Sequence, residues 1–146
     1  MSEIEPARRQ SIDVLQPAGW VAPKGYANGI AARGRLVFVG GQIGWNREQR
    51  FEATDFVGQA RQALANVVAV LAEAGGRPEH LVRMTWYVVD KREYIASAKP
   101  LGAAYREIIG RHYPAMTAVE VKALLEDAAR VEIEATAVIP DPDPGQ

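Results

Sequence analysis

The chain has 146 residues, of which 48% are apolar and 24% charged, and it contains no cysteine. This length fits a single domain with its own core, and the composition excludes a disordered protein, a disulfide-linked scaffold and an enzyme that uses a thiol. The net charge of −1 gives no electrostatic reason to expect a nucleic-acid or membrane partner. Because the chain lacks cysteine and any long apolar run, we expect a cytoplasmic protein.

The N-terminal part of the chain favours extended structure. Residues 1–19 are expected to form an extension in which 11–15 could add a strand at a sheet edge. Residues 30–32 and 36–39 flank Gly34 and predict a β-hairpin in which the glycine supplies a positive φ. Because 36–39 is continuously apolar, we expect this strand to be covered on both faces.

The remaining elements alternate between helix and strand. Apolar residues at spacings of three and four predict a helix over 55–74. β-branched and aromatic residues predict strands further along, and Pro100 is typical of a first helical turn. In order, we predict a strand over 81–89, a helix over 100–110, and strands over 117–124 and 130–139, followed by a flexible Pro/Asp tail at 140–146.

This order of elements predicts an α+β sandwich with two helices on one face of a mixed sheet. The sequence offers no further helices to cover the second face. Apolar residues on the predicted strands are expected to supply surface there, so we predict self-association. They are Trp86, Tyr87, Val119 and Val121.

Generic catalytic motifs are weak in this chain. Its two histidines are too few for a histidine-based metal site, and no metal-binding motif accompanies them, so we expect no metal. The glycine-rich run 40–44 lacks the lysine of a phosphate-binding loop. Glu132 and Glu134 are expected to share one face of a strand, which fits a solvent-exposed pair as well as a functional one.

Several short motifs resemble the YjgF/RidA family in order and spacing. Together they cover residues 20–139, which we interpret as one domain of that type. Each motif is short, and their common order makes the resemblance specific. They are Tyr26 with Asn28-Gly29, VFVGGQI at 37–43, QALANV at 62–67, AEAGG at 72–76, YPA at 113–115, VEV at 119–121 and VEIEA at 131–135.

The resemblance implies a chorismate-mutase-like fold in a homotrimer, whose sheets form an inner barrel and whose ligand clefts lie between subunits. Well-known members hydrolyse reactive imines and enamines to ketoacids and ammonia without a metal or a bound organic cofactor. Some relatives deaminate aminomuconate-type intermediates, and others were described as endoribonucleases or translation inhibitors. We therefore expect a small-molecule ligand, a homotrimer and no cofactor.

The resemblance also implies roles for individual residues. Glu132 matches the family glutamate that positions or activates the attacking water, and a carboxylate in a partly desolvated cleft can exchange a proton with water or a leaving amine. Tyr26 matches a cleft tyrosine supplied across the subunit boundary, although it could equally be an interface packing residue. Gly40 and Gly41 match backbone that lines the cleft, with Gly40 replacing a frequent serine, and Gln42 follows in the expected place.

The chain departs from the family at Met116. Active deaminases carry Pro-Ala-Arg followed by Ser or Thr, whereas 114–117 reads Pro-Ala-Met-Thr here. The family arginine binds the substrate carboxylate with its planar fork, and losing such a contact would cost about 2–5 kcal/mol. Thr117 continues this wall of the cleft, and Ala118 replaces a cysteine common in relatives.

Other residues could compensate for the missing arginine. Trp45 follows the glycine-rich run and could cover an aromatic ligand or pack within its own loop. Lys24, Arg33 and Arg35 are possible replacement cations, although most such residues are simply solvated.

Two functions therefore remain open. The first is a RidA-like hydrolase (deaminase) of reactive imine or enamine metabolites with altered, less carboxylate-dependent specificity. The second is a non-catalytic, metabolite-binding or regulatory trimer that uses the same cleft. Ribonuclease activity is disfavoured, because the net charge is −1 and no basic stripe is present.

Overall fold

A computed structural model describes residues 12–142 of the chain. Residues 1–11 and 143–146, which include most of the predicted extension and tail, lie outside the described residues. The strands are β1 (Ile12–Leu15), β2 (Gly29–Ala32), β3 (Arg35–Ile43), β4 (Leu81–Val88), β5 (Ala115–Glu120) and β6 (Val131–Ile139). The helices are α1 (Phe56–Glu73), α2 (Lys91–Ala96) and α3 (Ala98–Ile108), with a 3-10 helix at Pro78–His80.

Four strands form a mixed sheet in the order β3-β6-β4-β5. Strands β4 and β5 run parallel, whereas β6 is antiparallel to both of its neighbours. Strand β1 pairs with β2 in a separate two-stranded antiparallel sheet. A bridge between Ala27 and Ala115 joins the segment before β2 to β5, the edge strand. The predicted α+β class with a mixed sheet is confirmed.

The predicted hairpin around Gly34 is wrong. Strand β2 is hydrogen-bonded to β1 and β3 to β6, so the two strands that flank the glycine belong to different sheets. Gly34 has a positive φ of 147°, and any Cβ there would collide with the backbone of Ile139. The glycine is therefore required where the chain passes close to the end of β6, a tertiary contact that local turn patterns do not reveal.

The core lies between one face of the sheet and the helices. Asp55 begins α1, because its carboxylate accepts a hydrogen bond from the Gly58 N–H at 2.9 Å. The sequence predicted one helix after β4, but Asp90 caps the additional helix α2, and α3 begins two residues before Pro100. The buried side chains include Leu64, Val67, Leu71, Leu81, Met84, Val88, Leu101, Tyr105, Val131 and Ile133.

Residues 12–142 leave the second face of the sheet open at β3. Leu36 is 59% exposed and Phe38 73% exposed, so the described part of one chain does not meet the expectation that β3 is covered on both faces. The expectation that Trp86 lies on this face is wrong. Trp86 is buried on the helical side of the sheet, where it packs against Tyr94. Strand β5 ends at Glu120, four residues earlier than predicted, so Val121 lies beyond the sheet.

Candidate active site

The structure places the predicted catalytic glutamate directly against Gly41, the second residue of the glycine pair. Glu132 lies on β6 and is in register with Tyr87 on β4. Gly41 lies on β3 at an irregularity between Val39 and Gln42, where the pairing with β6 shifts. A Cβ atom on Gly41 would lie 2.8 Å from Cδ and 3.0 Å from Oε1 of Glu132. The carboxyl group therefore occupies the space that a side chain at position 41 would need.

Gly40 and Gln42 flank Gly41 on β3. The Gln42 side chain is turned back on the strand, since its Nε2 donates to the Gly40 carbonyl at 3.1 Å. Gly40 itself has no atom within 4 Å of where a Cβ would stand, so its backbone faces open space. We call Glu132, Gly40, Gly41 and Gln42 the carboxylate half of the candidate site.

Glu134 shares the sheet face with Glu132 but has a different partner. The Tyr87 hydroxyl donates a hydrogen bond to Oε1 of Glu134 at 2.6 Å. This hydrogen bond is the main cause that raises the pKa of Tyr87, with smaller contributions from desolvation and from the charges of both glutamates, opposed by Arg83. The Glu134 carboxylate thus accepts a hydrogen bond from a phenol, whereas the Glu132 carboxylate accepts none from the side chains and backbone of residues 12–142.

A cavity of about 510 Å³ opens on the helical side of the sheet. Its walls come from β4, β5, α2, α3 and the segment before β2, and Tyr105 and Tyr113 stack there with ring centroids 5.4 Å apart. We call this cavity the aromatic pocket. It is lined by Lys24, Gly25, Trp86, Tyr94, Ile95, Ala98, Leu101, Gly102, Tyr105, Arg106, Tyr113 and Met116.

Within one chain, the aromatic pocket and the carboxylate half lie on opposite faces of the sheet. Met116 is in register with Met84, which is fully buried on the helical face. Glu132 is in register with Tyr87, which lies on the opposite face. Strand β4 also separates β5 from β6, a spacing of about 10 Å. Met116 and Glu132 of the same chain therefore do not lie together.

The other predicted site residues lie on both faces of the sheet and at its β5 edge. Ala118 is in register with Trp86 on the helical side, whereas Thr117 is in register with Thr85 on the opposite face. Tyr26 is 43% exposed and precedes Ala27, whose N–H donates to the Pro114 carbonyl beside β5. Tyr26 thus lies at the β5 edge of the sheet, away from Glu132 of the same chain.

Trp45 and Arg35 have structural contacts outside the aromatic pocket. Trp45 packs against Phe51 in its own loop, with ring centroids 5.9 Å apart. The Arg35 guanidinium donates to the Ala74 carbonyl at the end of α1, and Arg33 does not line the pocket. Among the three cations suggested by the sequence, only Lys24 lines the aromatic pocket.

Comparison with known proteins identifies the family. Residues 20–139 match the profile of the family described as Endoribonuclease L-PSP. The 2-iminobutanoate/2-iminopropanoate deaminase of Escherichia coli is 33% identical over 116 residues, covering 77% of this chain and 86% of the relative. A RutC family protein of Synechocystis is 35% identical, covering 89% of this chain and 98% of the relative. The chain belongs to the YjgF/RidA family.

Solved structures of the YjgF/RidA family share the fold. The Rid family protein YyfB from Yersinia pestis has a TM-score of 0.78 and 28% identity, covering 88% of this chain and 99% of that structure. The YjgF gene product from Escherichia coli has a TM-score of 0.64 and 33% identity, covering 77% and 87%. The order of motifs in the sequence therefore identified both the family and its architecture.

Sequence reasoning missed most of the aromatic pocket in this YjgF/RidA chain, including Arg106, Gly102 and Trp86. Arg106 and Gly102 lie one helical turn apart on α3, and Trp86 was expected on the other sheet face. The glycine inside a predicted helix was the available signal, because glycine lowers helix stability. Residues 12–142 hold no cluster of side chains able to ligate a metal, and none of their helices meets the length and hydropathy needed to cross a bilayer.

Proposed function

We propose that this protein hydrolyses reactive imines or enamines, with Glu132 as the residue that activates the attacking water. The supporting observation is the contact between the Glu132 carboxyl group and Gly41, which leaves the carboxylate beside exposed strand backbone. The name of the Escherichia coli relative, 2-iminobutanoate/2-iminopropanoate deaminase, supports the reaction class.

The proposed reaction converts an imine and water into a carbonyl compound and ammonia. The water oxygen forms a bond to the imine carbon while Glu132 accepts a proton from that water. The imine nitrogen takes up that proton, which gives a carbinolamine. The proton of the new hydroxyl group then passes to the nitrogen as the carbon–nitrogen bond breaks, so the nitrogen leaves as ammonia and the carbon keeps the oxygen as a carbonyl group. An enamine enters the same sequence after a proton is added at carbon and one is lost from nitrogen, which gives the imine.

We further propose that a homotrimer completes the site. One chain presents its carboxylate half on one sheet face and its aromatic pocket near the β5 edge on the other. Subunit association could bring the aromatic pocket and Tyr26 of one copy against the carboxylate half of the next. Exposed Leu36 and Phe38 on β3 provide apolar surface for this association.

The altered specificity in this proposal rests on Met116. Its thioether carries no charge and lies among Trp86 and Tyr113 in the aromatic pocket. Met116 therefore cannot bind the carboxylate of a substrate. Its polarizable thioether can instead pack against an apolar part of the substrate. We expect preference for substrates with aromatic or other apolar side chains.

A pair of variants tests the catalytic assignment. Imino acids are generated in situ by an amino-acid oxidase, and the decay of imine absorbance is compared with spontaneous decay in buffer. We expect Glu132→Gln to slow enzymatic decay by at least about 100-fold. Glu134→Gln is the matched control on the same strand face, and its amide oxygen can still accept the Tyr87 hydrogen bond. Equal activity of Glu132→Gln and wild type would contradict the proposal.

The separation of the aromatic pocket from Glu132 within one chain also favours a second candidate function. In that case the trimer would bind a metabolite in the pocket without chemistry. A ligand that raises the melting temperature while every imine tested decays at its spontaneous rate would support the binding function over hydrolysis.

A further inference from the structure

The aromatic pocket contains a buried hydrogen-bond donor without an acceptor. Trp86 is 4% exposed, and its indole Nε1 is the buried side-chain atom within residues 12–142 that lacks a hydrogen-bond partner. Buried donors are nearly always paired in native proteins, because an unpaired one loses its hydration without replacement. Since Trp86 lines the pocket, an acceptor oxygen of a ligand would satisfy this donor.

Two cations line the same pocket. Neither Lys24 nor Arg106 takes part in the three ion pairs found within residues 12–142. The other walls are mainly aromatic and aliphatic, including the stacked pair Tyr105 and Tyr113. A largely apolar cavity with a few polar groups binds a ligand of matching pattern. This pocket therefore suits an anion with a flat, apolar body.

Arg106 is the cation whose position the local structure explains. A Cβ atom on Gly102 would lie 3.2 Å from Nη1 of Arg106, so the guanidinium group lies over the glycine one turn earlier on α3. Glycine destabilises a helix interior relative to alanine, and here its missing side chain leaves the space that the guanidinium occupies. A guanidinium group also binds a carboxylate through two parallel hydrogen bonds, which the ammonium group of Lys24 cannot do.

We propose that Arg106 binds the substrate carboxylate in this protein, in place of the arginine that the family carries where Met116 stands. The indole N–H of Trp86 donates to a second oxygen of the ligand, and Met116 contacts its aromatic body. The ligand class is a 2-imino acid with an aryl side chain, or the 2-oxo acid formed from it. This inference rests on the proposed function, because the aromatic pocket is the substrate-binding part of the same site.

Binding of two matched probes measures the role of Arg106. Phenylpyruvate carries the carboxylate, whereas 1-phenyl-2-propanone has the same benzyl ketone skeleton with a methyl group in its place. Isothermal titration calorimetry on the full-length protein should show tighter binding of phenylpyruvate. We expect Arg106→Gln to weaken phenylpyruvate binding by about 5- to 30-fold and to leave the ketone unaffected. Arg111→Gln, which removes the same charge from a residue outside the pocket lining, should retain the preference.

Further variants separate a binding role from a structural one. Adding Met116→Arg to Arg106→Gln should restore the preference for phenylpyruvate, because it returns a guanidinium group to the pocket. Gly102→Ala should raise the melting temperature yet weaken phenylpyruvate binding about two- to fivefold, since the guanidinium must move by a few tenths of an ångström. A purely structural role for Arg106 predicts neither result.

The possible outcomes distinguish failure of this inference from failure of the proposed function. The inference is overturned if Arg106→Gln binds phenylpyruvate as tightly as wild type, if Lys24→Gln alone removes the preference, or if wild type binds neither probe. Glu132→Gln should still bind phenylpyruvate, because it changes the other half of the site. Loss of hydrolysis in Glu132→Gln together with unchanged binding in Arg106→Gln would refute the carboxylate assignment alone.

Discussion

Replacing Gly41 by alanine should disable the proposed water-activating carboxylate while leaving the fold intact. The added Cβ would lie 2.8 Å from Cδ of Glu132, whereas carbon atoms in ordinary contact are about 3.5–4.0 Å apart. The carboxyl group must therefore retreat by about 0.7–1.2 Å. A misplacement of about 1 Å in a catalytic group can cost about 100-fold in rate, or about 2.7 kcal/mol of transition-state stabilisation.

The assay is the decay of imine absorbance above the spontaneous rate, expressed as kcat/KM. We expect Gly41→Ala to lose about 100-fold, with a melting temperature close to that of wild type because neither Gly40 nor Gly41 needs a positive φ. Gly40→Ala adds the same methyl group one residue earlier, where nothing lies within 4 Å, and should lose much less activity. Equal losses in the two variants, or full activity in Gly41→Ala, would refute the reasoning from the Glu132 contact.

Three further predictions concern stability, assembly and titration. Gln59→Met should lower the free energy of unfolding by about 2–4 kcal/mol in urea denaturation, because the buried amide makes three hydrogen bonds to backbone groups; a loss below about 0.5 kcal/mol would contradict this. In light scattering, wild type should have a mass of about 48 kDa, three times the chain mass of 15.9 kDa. The double variant Leu36→Ser, Phe38→Ser should lower the measured mass toward that of the monomer. A wild-type monomer would exclude the trimer. The hydrogen bond to Glu134, followed by desolvation and the charges of Glu134 and Glu132, raises the pKa of Tyr87 above that of a free phenol. Glu134→Ala removes the acceptor and the charge together and should therefore lower this pKa in a 13C-tyrosine NMR titration, and an unchanged midpoint would show that the hydrogen bond is absent in solution.

The sequence alone determined the family and the fold class. Periodicity located α1 within a residue at each end because an amphipathic helix repeats its apolar positions regularly. The alternation along β6 correctly placed Glu132 and Glu134 on one face, where both face Tyr87. These features depend on the local residue pattern and on the order of motifs, and both can be read from the sequence without knowledge of tertiary contacts.

The tertiary structure decided which residues meet. Gly34 was interpreted as a hairpin turn, yet it is required by the backbone of β6, more than one hundred residues away in the sequence. Trp86 and Met116 belong to the helical side because the parallel register of β4 and β5 sets their faces, and strand pairing has no local signal. The same folding brings Arg106 and Trp86 to one pocket from different elements. The sequence showed that a cation is missing at Met116, and only the packing of α3 against the sheet showed where another cation stands.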